Sequence, residues 1–143
     1  MDDIRYIGST LWSKIYDPKY LVNDKVHIEE FNVHHNNMMY EDNKAYLKKA
    51  LLQCKQDGKK AVVITHHMPS FTLIDPKYKA SLYSQCFASD CDDLIMDPVA
   101  CWIFGHTHAV TNETIHGIPC IANPIGYPGE NSNINFNRNH CIQ

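Results

Sequence analysis

Ala61-Val62-Val63-Ile64-Thr65-His66-His67-Met68-Pro69-Ser70 opens as an unbroken apolar run and closes on two imidazoles. Val and Ile lose rotamer freedom in a helix and pack well on a pleated surface, so the run predicts a strand. The absence of polar alternation fits a strand covered on both faces, as in a parallel sheet. Upstream, Tyr46, Leu47, Ala50, Leu51 and Cys54 follow an i, i+4 rhythm from about Asp42 to Gln56, with Lys48, Lys49 and Lys55 on other faces and Gly58 just past the end. That rhythm predicts an amphipathic helix with a glycine stop. A helix feeding directly into a buried strand predicts an α/β chain.

A second apolar run, Cys101-Trp102-Ile103-Phe104, ends in Gly105-His106-Thr107-His108 and predicts another buried strand. Val110 to Ile115 and Ile118 to Ala122 flank His116-Gly117, a two-residue hairpin turn. Ile4-Arg5-Tyr6-Ile7, closed by Gly8-Ser9-Thr10, reads as a short strand entering a loop in which Trp12 anchors to the core. Residues 13 to 40 lack periodicity and predict a long irregular excursion with one helical turn. Ser89 to Met96 predicts a short helix capped by Ser89 or Asp90 and stopped by Pro98. The tail predicts loop, with a short edge strand at Ile134 to Phe136.

With 143 residues, 44% hydrophobic, the chain is sized for one domain with a real core. A net charge of −3 and scattered lysines provide no nucleic-acid patch. No apolar stretch approaches the roughly 20 residues needed to cross a bilayer, and Met1-Asp2-Asp3 has the wrong charge for a signal peptide. These features predict a cytoplasmic protein without membrane association. The six cysteines include no CxxC pair and read as reduced thiols. A structural zinc site using Cys86, Cys91 and downstream histidines is a weaker alternative.

Imidazole is the commonest protein ligand for first-row metals, and ligands of open α/β sheets sit beyond the carboxyl ends of strands. Two histidine clusters that each terminate a buried strand therefore predict one shared metal site. His27, His34, His35, His116 and His140 lie in polar stretches and read as surface residues, with His34-His35 able to reach the cleft if the long loop folds over it. Asn123 with Pro124 reads as a turn former.

These residues resemble the C-terminal half of a calcineurin-like metallophosphoesterase. Gly105-His106-Thr107-His108 matches that family's last motif, and Thr65-His66-His67-Met68-Pro69-Ser70 the preceding one. Ile7-Gly8-Ser9-Thr10-Leu11-Trp12, Ala88-Ser89-Asp90-Cys91-Asp92-Asp93-Leu94-Ile95, and Asn123-Pro124-Ile125-Gly126-Tyr127 with Glu130-Asn131 are similar to a bacterial-type branch, in the same order. The resemblance spans about residues 4 to 136 of a single domain, 1–143. It implies a partial sandwich: a mixed β-sheet with flanking helices, forming the C-terminal half of a four-layer αββα fold.

The resemblance further implies a phosphate-ester substrate and two divalent ions, Mn, Fe or Zn, about 3.5–4 Å apart, that activate water for in-line attack. Carried over by motif, His66 and His106 would ligate one ion and His108 the other; His67 is the alternative to His66, or lies behind it or toward substrate. No catalytic acid or base is assigned. The family's Asp-x-His, Gly-Asp-x-x-Asp and Gly-Asn-His-Asp/Glu motifs are absent, and Asn139-His140 follows Arg138 rather than Gly. Three neutral histidines without a bridging carboxylate make a binuclear centre implausible from this chain alone. The expectation is a truncated or split phosphoesterase, inactive alone, whose N-terminal half comes from a separate chain; the alternative is a nonenzymatic metal-binding or interaction remnant. Both predict an exposed apolar face where the missing half would pack.

Overall fold

The apolar runs assemble into one five-stranded sheet in a computed structural model that describes residues 3–20, 27–29, 31–129 and 136–140. Strands β1 (Ile4–Ser9), β2 (Lys60–Thr65), β3 (Val99–Ile103), β4 (Thr111–Ile115) and β5 (Ile118–Ala122) lie in the order β1-β2-β3-β5-β4. β1, β2, β3 and β5 run parallel; β4 pairs antiparallel with β5 through the hairpin. His116 (φ 50) and Gly117 (φ 81) are both left-handed, as a tight two-residue turn between right-twisting strands requires. The α/β class and the mixed sheet thus agree with expectation.

Helix α1 (Val33–Gln56) begins well upstream of Asp42. Its buried positions are Asn36, Tyr40, Leu47, Leu51 and Cys54, a single face whose first member is polar. Asn36 donates to the Ser13 carbonyl at 2.7 Å, while Asn37 donates to Ile15 O at 2.9 Å and accepts from Ile15 N at 2.9 Å. The first turns therefore dock through amide hydrogen bonds, which hydrophobic periodicity does not register. Asn32 caps the helix by accepting from His35 N at 2.9 Å. The excursion expected over 13–40 is shorter in consequence: it has a 3₁₀ turn at Pro18–Tyr20 and then joins the helix, with residues 21–26 outside the described set.

Two further expectations change. β2 is not covered on both faces: Ala61, Val63 and Thr65 are buried, whereas Lys60 and Ile64 are exposed and Val62 is half-buried. Only one face of the sheet carries the helix, since Leu47, Leu51 and Cys54 share a continuous core with Ile7, Val63, Trp102 and Cys120. The helix expected over Ser89 to Met96 is a single 3₁₀ turn, Asp92–Leu94, with Cys91 at its N-cap and no side-chain cap bond. Ser89 N and Cys91 N are instead used by Met68 O (3.0 Å) and Pro69 O (2.9 Å), which ties 89–91 to the segment after β2. Ile134 lies outside the described residues and Phe136 is not in a strand. No described helix is long and apolar enough to cross a membrane.

Candidate histidine site

Because β1, β2 and β3 are parallel neighbours, their carboxyl ends open on one edge of the sheet. Thr10 follows β1, His66-His67 follow β2, and Gly105-His106 lie just beyond β3. The backbone stitches these ends together. Thr10 O receives His66 N at 3.3 Å and His67 N at 3.2 Å, and His66 O receives Gly105 N at 3.0 Å. Below them, Trp102 Nε1 donates to Thr65 Oγ1 at 3.0 Å, and that hydroxyl donates to the His67 carbonyl at 2.8 Å. Trp102 is fully buried, so the loop holding the histidine pair is tied to the core by a satisfied polar chain.

Three imidazoles meet at this edge. Ring centroids lie 4.8 Å apart for His66 and His106, 4.5 Å for His67 and His106, and 5.2 Å for His66 and His67. Phe87 stacks on His106 at 4.7 Å and Trp12 stands beside His67 at 5.5 Å. Phe87 is brought there by the segment that zips onto Met68: Met68 N donates to Phe87 O at 3.0 Å, and Met68 and Ala88 form a parallel bridge. Nothing in the sequence around Phe87 signals this role, because the contact depends on a backbone pairing between two irregular segments.

His67 is buried, and its Nδ1 lies 3.3 Å from the Thr10 carbonyl. A carbonyl only accepts, so Nδ1 carries the hydrogen and Nε2 keeps its lone pair. Burial, reinforced by the neighbouring His106, pulls this imidazole down to about 3, so it is neutral at physiological pH. His106 has a left-handed backbone, φ 57, inside a tight turn closed by Thr107 N donating to Gly105 O at 2.6 Å. A non-glycine residue held there stores strain of about 1–3 kcal/mol, which marks the position as one the surrounding structure over-determines. Gly105 itself has room for a methyl group, with His66 O 3.6 Å from where it would sit.

The other expected site residues have contacts of their own. His108 stands against Tyr127, ring centroids 4.6 Å apart. His34 and His35 are exposed on the first turn of α1. Asn123 is more than a turn former: it donates to Asn137 O at 2.8 Å and accepts from Asn137 N at 3.1 Å, pinning the chain end beside β5. Among the described residues no three His, Cys, Asp or Glu side chains are disposed to hold one metal ion. The donors that do cluster are imidazoles without a carboxylate, a set whose chemistry suits part of the shell of a single borderline dication rather than a hard pair. Burial pushes the Cys91 thiol up to about 11.

No family model matches the chain. It is 30% identical, over 155 aligned residues, to an uncharacterized protein of Acanthamoeba polyphaga mimivirus; the alignment takes in 94% of this chain and 54% of the viral protein. The chain spans about half the length of the curated relative it matches.

Proposed function

We propose that the chain is the histidine-bearing half of a calcineurin-like metallophosphoesterase site, a hydrolase of phosphate esters that is inactive alone. The observation that carries the reading is the meeting of His66 and His106, from the ends of adjacent parallel strands, at 4.8 Å between rings. In this reading the sheet and α1 form the C-terminal half of a four-layer αββα sandwich, and a separate polypeptide contributes the carboxylates. His66 and His106 would hold one divalent ion, Mn, Fe or Zn, and His108 would serve a second. Such ions activate water and clamp the phosphate oxygens of the ester. His67, hydrogen-bonded through Nδ1 to Thr10 O, orients the cluster from behind. The buried free cysteines favour a reducing, cytoplasmic setting.

The second reading, a nonenzymatic remnant that holds one metal weakly or serves as an interaction module, draws support from the lack of three converging ligands among the described residues. Calorimetric titration of the purified chain with Zn²⁺, alongside His106→Asn, tests the site. Asn tolerates the left-handed backbone while removing the imidazole. The expected result is one ion bound by the wild type and none by the variant; equal heats in both would end the metal reading. The chain alone is expected to show no Mn²⁺-dependent hydrolysis of an aryl phosphate. Turnover that disappears in His106→Asn would mean the site is complete without a second half.

A further inference from the structure

We infer that Ser9 is a positioning residue of the histidine site: through the Thr10–Leu11 peptide it fixes which ring nitrogen of His67 carries the hydrogen. What the site holds is taken from the half-site reading above; the positioning is independent of it. Three N–H groups converge on one acceptor, the Thr10 carbonyl: His66 N at 3.3 Å, His67 N at 3.2 Å and His67 Nδ1 at 3.3 Å. The place of that oxygen therefore sets both the path of the chain through the histidine pair and the tautomer of the buried ring. With Nδ1–H directed at Thr10 O, Nε2 of His67 is the basic nitrogen, the form in which an imidazole takes a divalent ion or accepts a proton.

The Thr10 carbonyl and the Leu11 N–H belong to one planar trans peptide, so they point in opposite directions. While the carbonyl faces the histidines, the N–H donates to Ser9 Oγ at 3.2 Å, and the plane is held from both sides. Leu11 carries the strain of this arrangement. Its φ is 50, a left-handed backbone that is unusual for a leucine. Turning the peptide over would return Leu11 to the extended region, but would swing the Thr10 carbonyl away from all three donors. The strained form persists because its surroundings over-determine it. Leu11 is fully buried in the core, and the chain beyond it is tied to α1: Trp12 N donates to Asn43 Oδ1 at 3.4 Å, and Ser13 O accepts from Asn36 Nδ2 at 2.7 Å. Among these holds, Ser9 acts on the peptide plane itself. His106, the other left-handed residue of this edge, lies just beyond β3 as Leu11 lies beyond β1, so strain gathers where the histidines meet.

The test is long-range proton–nitrogen NMR of the full chain at neutral pH, with the His67 ring signals assigned by their loss in His67→Asn. In the wild type Nδ1 should read as the protonated nitrogen and Nε2 as the bare one. Ser9→Ala, with circular dichroism reporting that it remains folded, should move the two signals toward each other or exchange them. Ser9→Thr, which restores the hydroxyl, should return them. A merely structural serine would lower the melting temperature in Ser9→Ala and leave the tautomer where it was, and that result overturns the inference. So does a Ser9→Thr spectrum that matches Ser9→Ala, or a wild type whose Nε2 carries the hydrogen. If Ser9→Ala does not fold, Ser9→Cys, close in shape but with a weak sulfur acceptor, is read in the same way. Calorimetric titration with Zn²⁺ separates the inference from the half-site reading. A tautomer that follows Ser9 in a chain that takes up no Zn²⁺ sinks the half-site reading and leaves the positioning standing. Zinc uptake that depends on His106, with a tautomer indifferent to Ser9, does the reverse. Where both hold, Ser9→Ala should bind Zn²⁺ about tenfold more weakly than the wild type.

Discussion

At the scale of single residues, the histidine edge depends on groups that each satisfy a neighbour. His67 is held neutral by burial, so the folded chain refuses until about pH 3 a proton that the unfolded chain accepts near 6.5. Its contribution to stability is therefore complete above pH 6.5 and declines as pH falls toward 3. The carboxylates of Asp57, held low by Gln53 and Arg5, and of Asp97, held low by Lys60 and Lys55, act only below their ordinary value of 3.8. Urea midpoints measured at pH 7 and pH 4.5 should fall for the wild type and stay nearly level for His67→Asn; parallel declines would dismiss the assignment. Thr65 joins Trp102 to the His67 carbonyl, so Thr65→Val leaves an indole N–H and a carbonyl without their bonds. A loss of about 1–3 kcal/mol is expected by chemical denaturation.

Among the elements, β3 and the β4–β5 hairpin were legible because their signals are local: an apolar run, and a turn dipeptide between two strand-formers. The first part of α1 was not. Its buried face begins with Asn36, which donates to Ser13 O, and its neighbour Asn37 bonds both ways with Ile15. Amides that replace apolar side chains at a helix face erase the periodicity while keeping the docking. Asn32→Ala removes the cap on His35 N and should cost about 0.5–2 kcal/mol, read from the melting transition. A cost near zero would mean that the early turns are held by the Ser13 and Ile15 contacts alone.

For the whole molecule, burial decides how the thiols behave. Cys54, Cys91, Cys101 and Cys120 are all free and buried, and burial pushes Cys91 up to about 11 and Cys120 up to about 12. A buried protonated thiol is a poor nucleophile. Iodoacetamide at pH 8 should leave Cys54, Cys91 and Cys120 unmodified in the native chain and label them after denaturation, as mapped by mass spectrometry. Rapid native labelling of these three would show that the core opens far more readily than its packing implies. The exposure of Ile64 beside a half-buried Val62 on β2 is a second property of the whole. β2 looks in sequence like a strand covered twice, and the composition does fit that role; the described residues supply cover on one side only.

By itself the sequence determined the α/β class, the strand runs, the hairpin and the two histidine clusters, because each rests on the chemistry of residues adjacent in the chain. Only the tertiary structure decided that His66, His67 and His106 meet, that His108 packs on Tyr127, and that Phe87 covers His106. It alone also left Tyr6 and Ile64 exposed. Those outcomes depend on strand order, register and backbone pairings between distant segments, which no local pattern of side chains encodes.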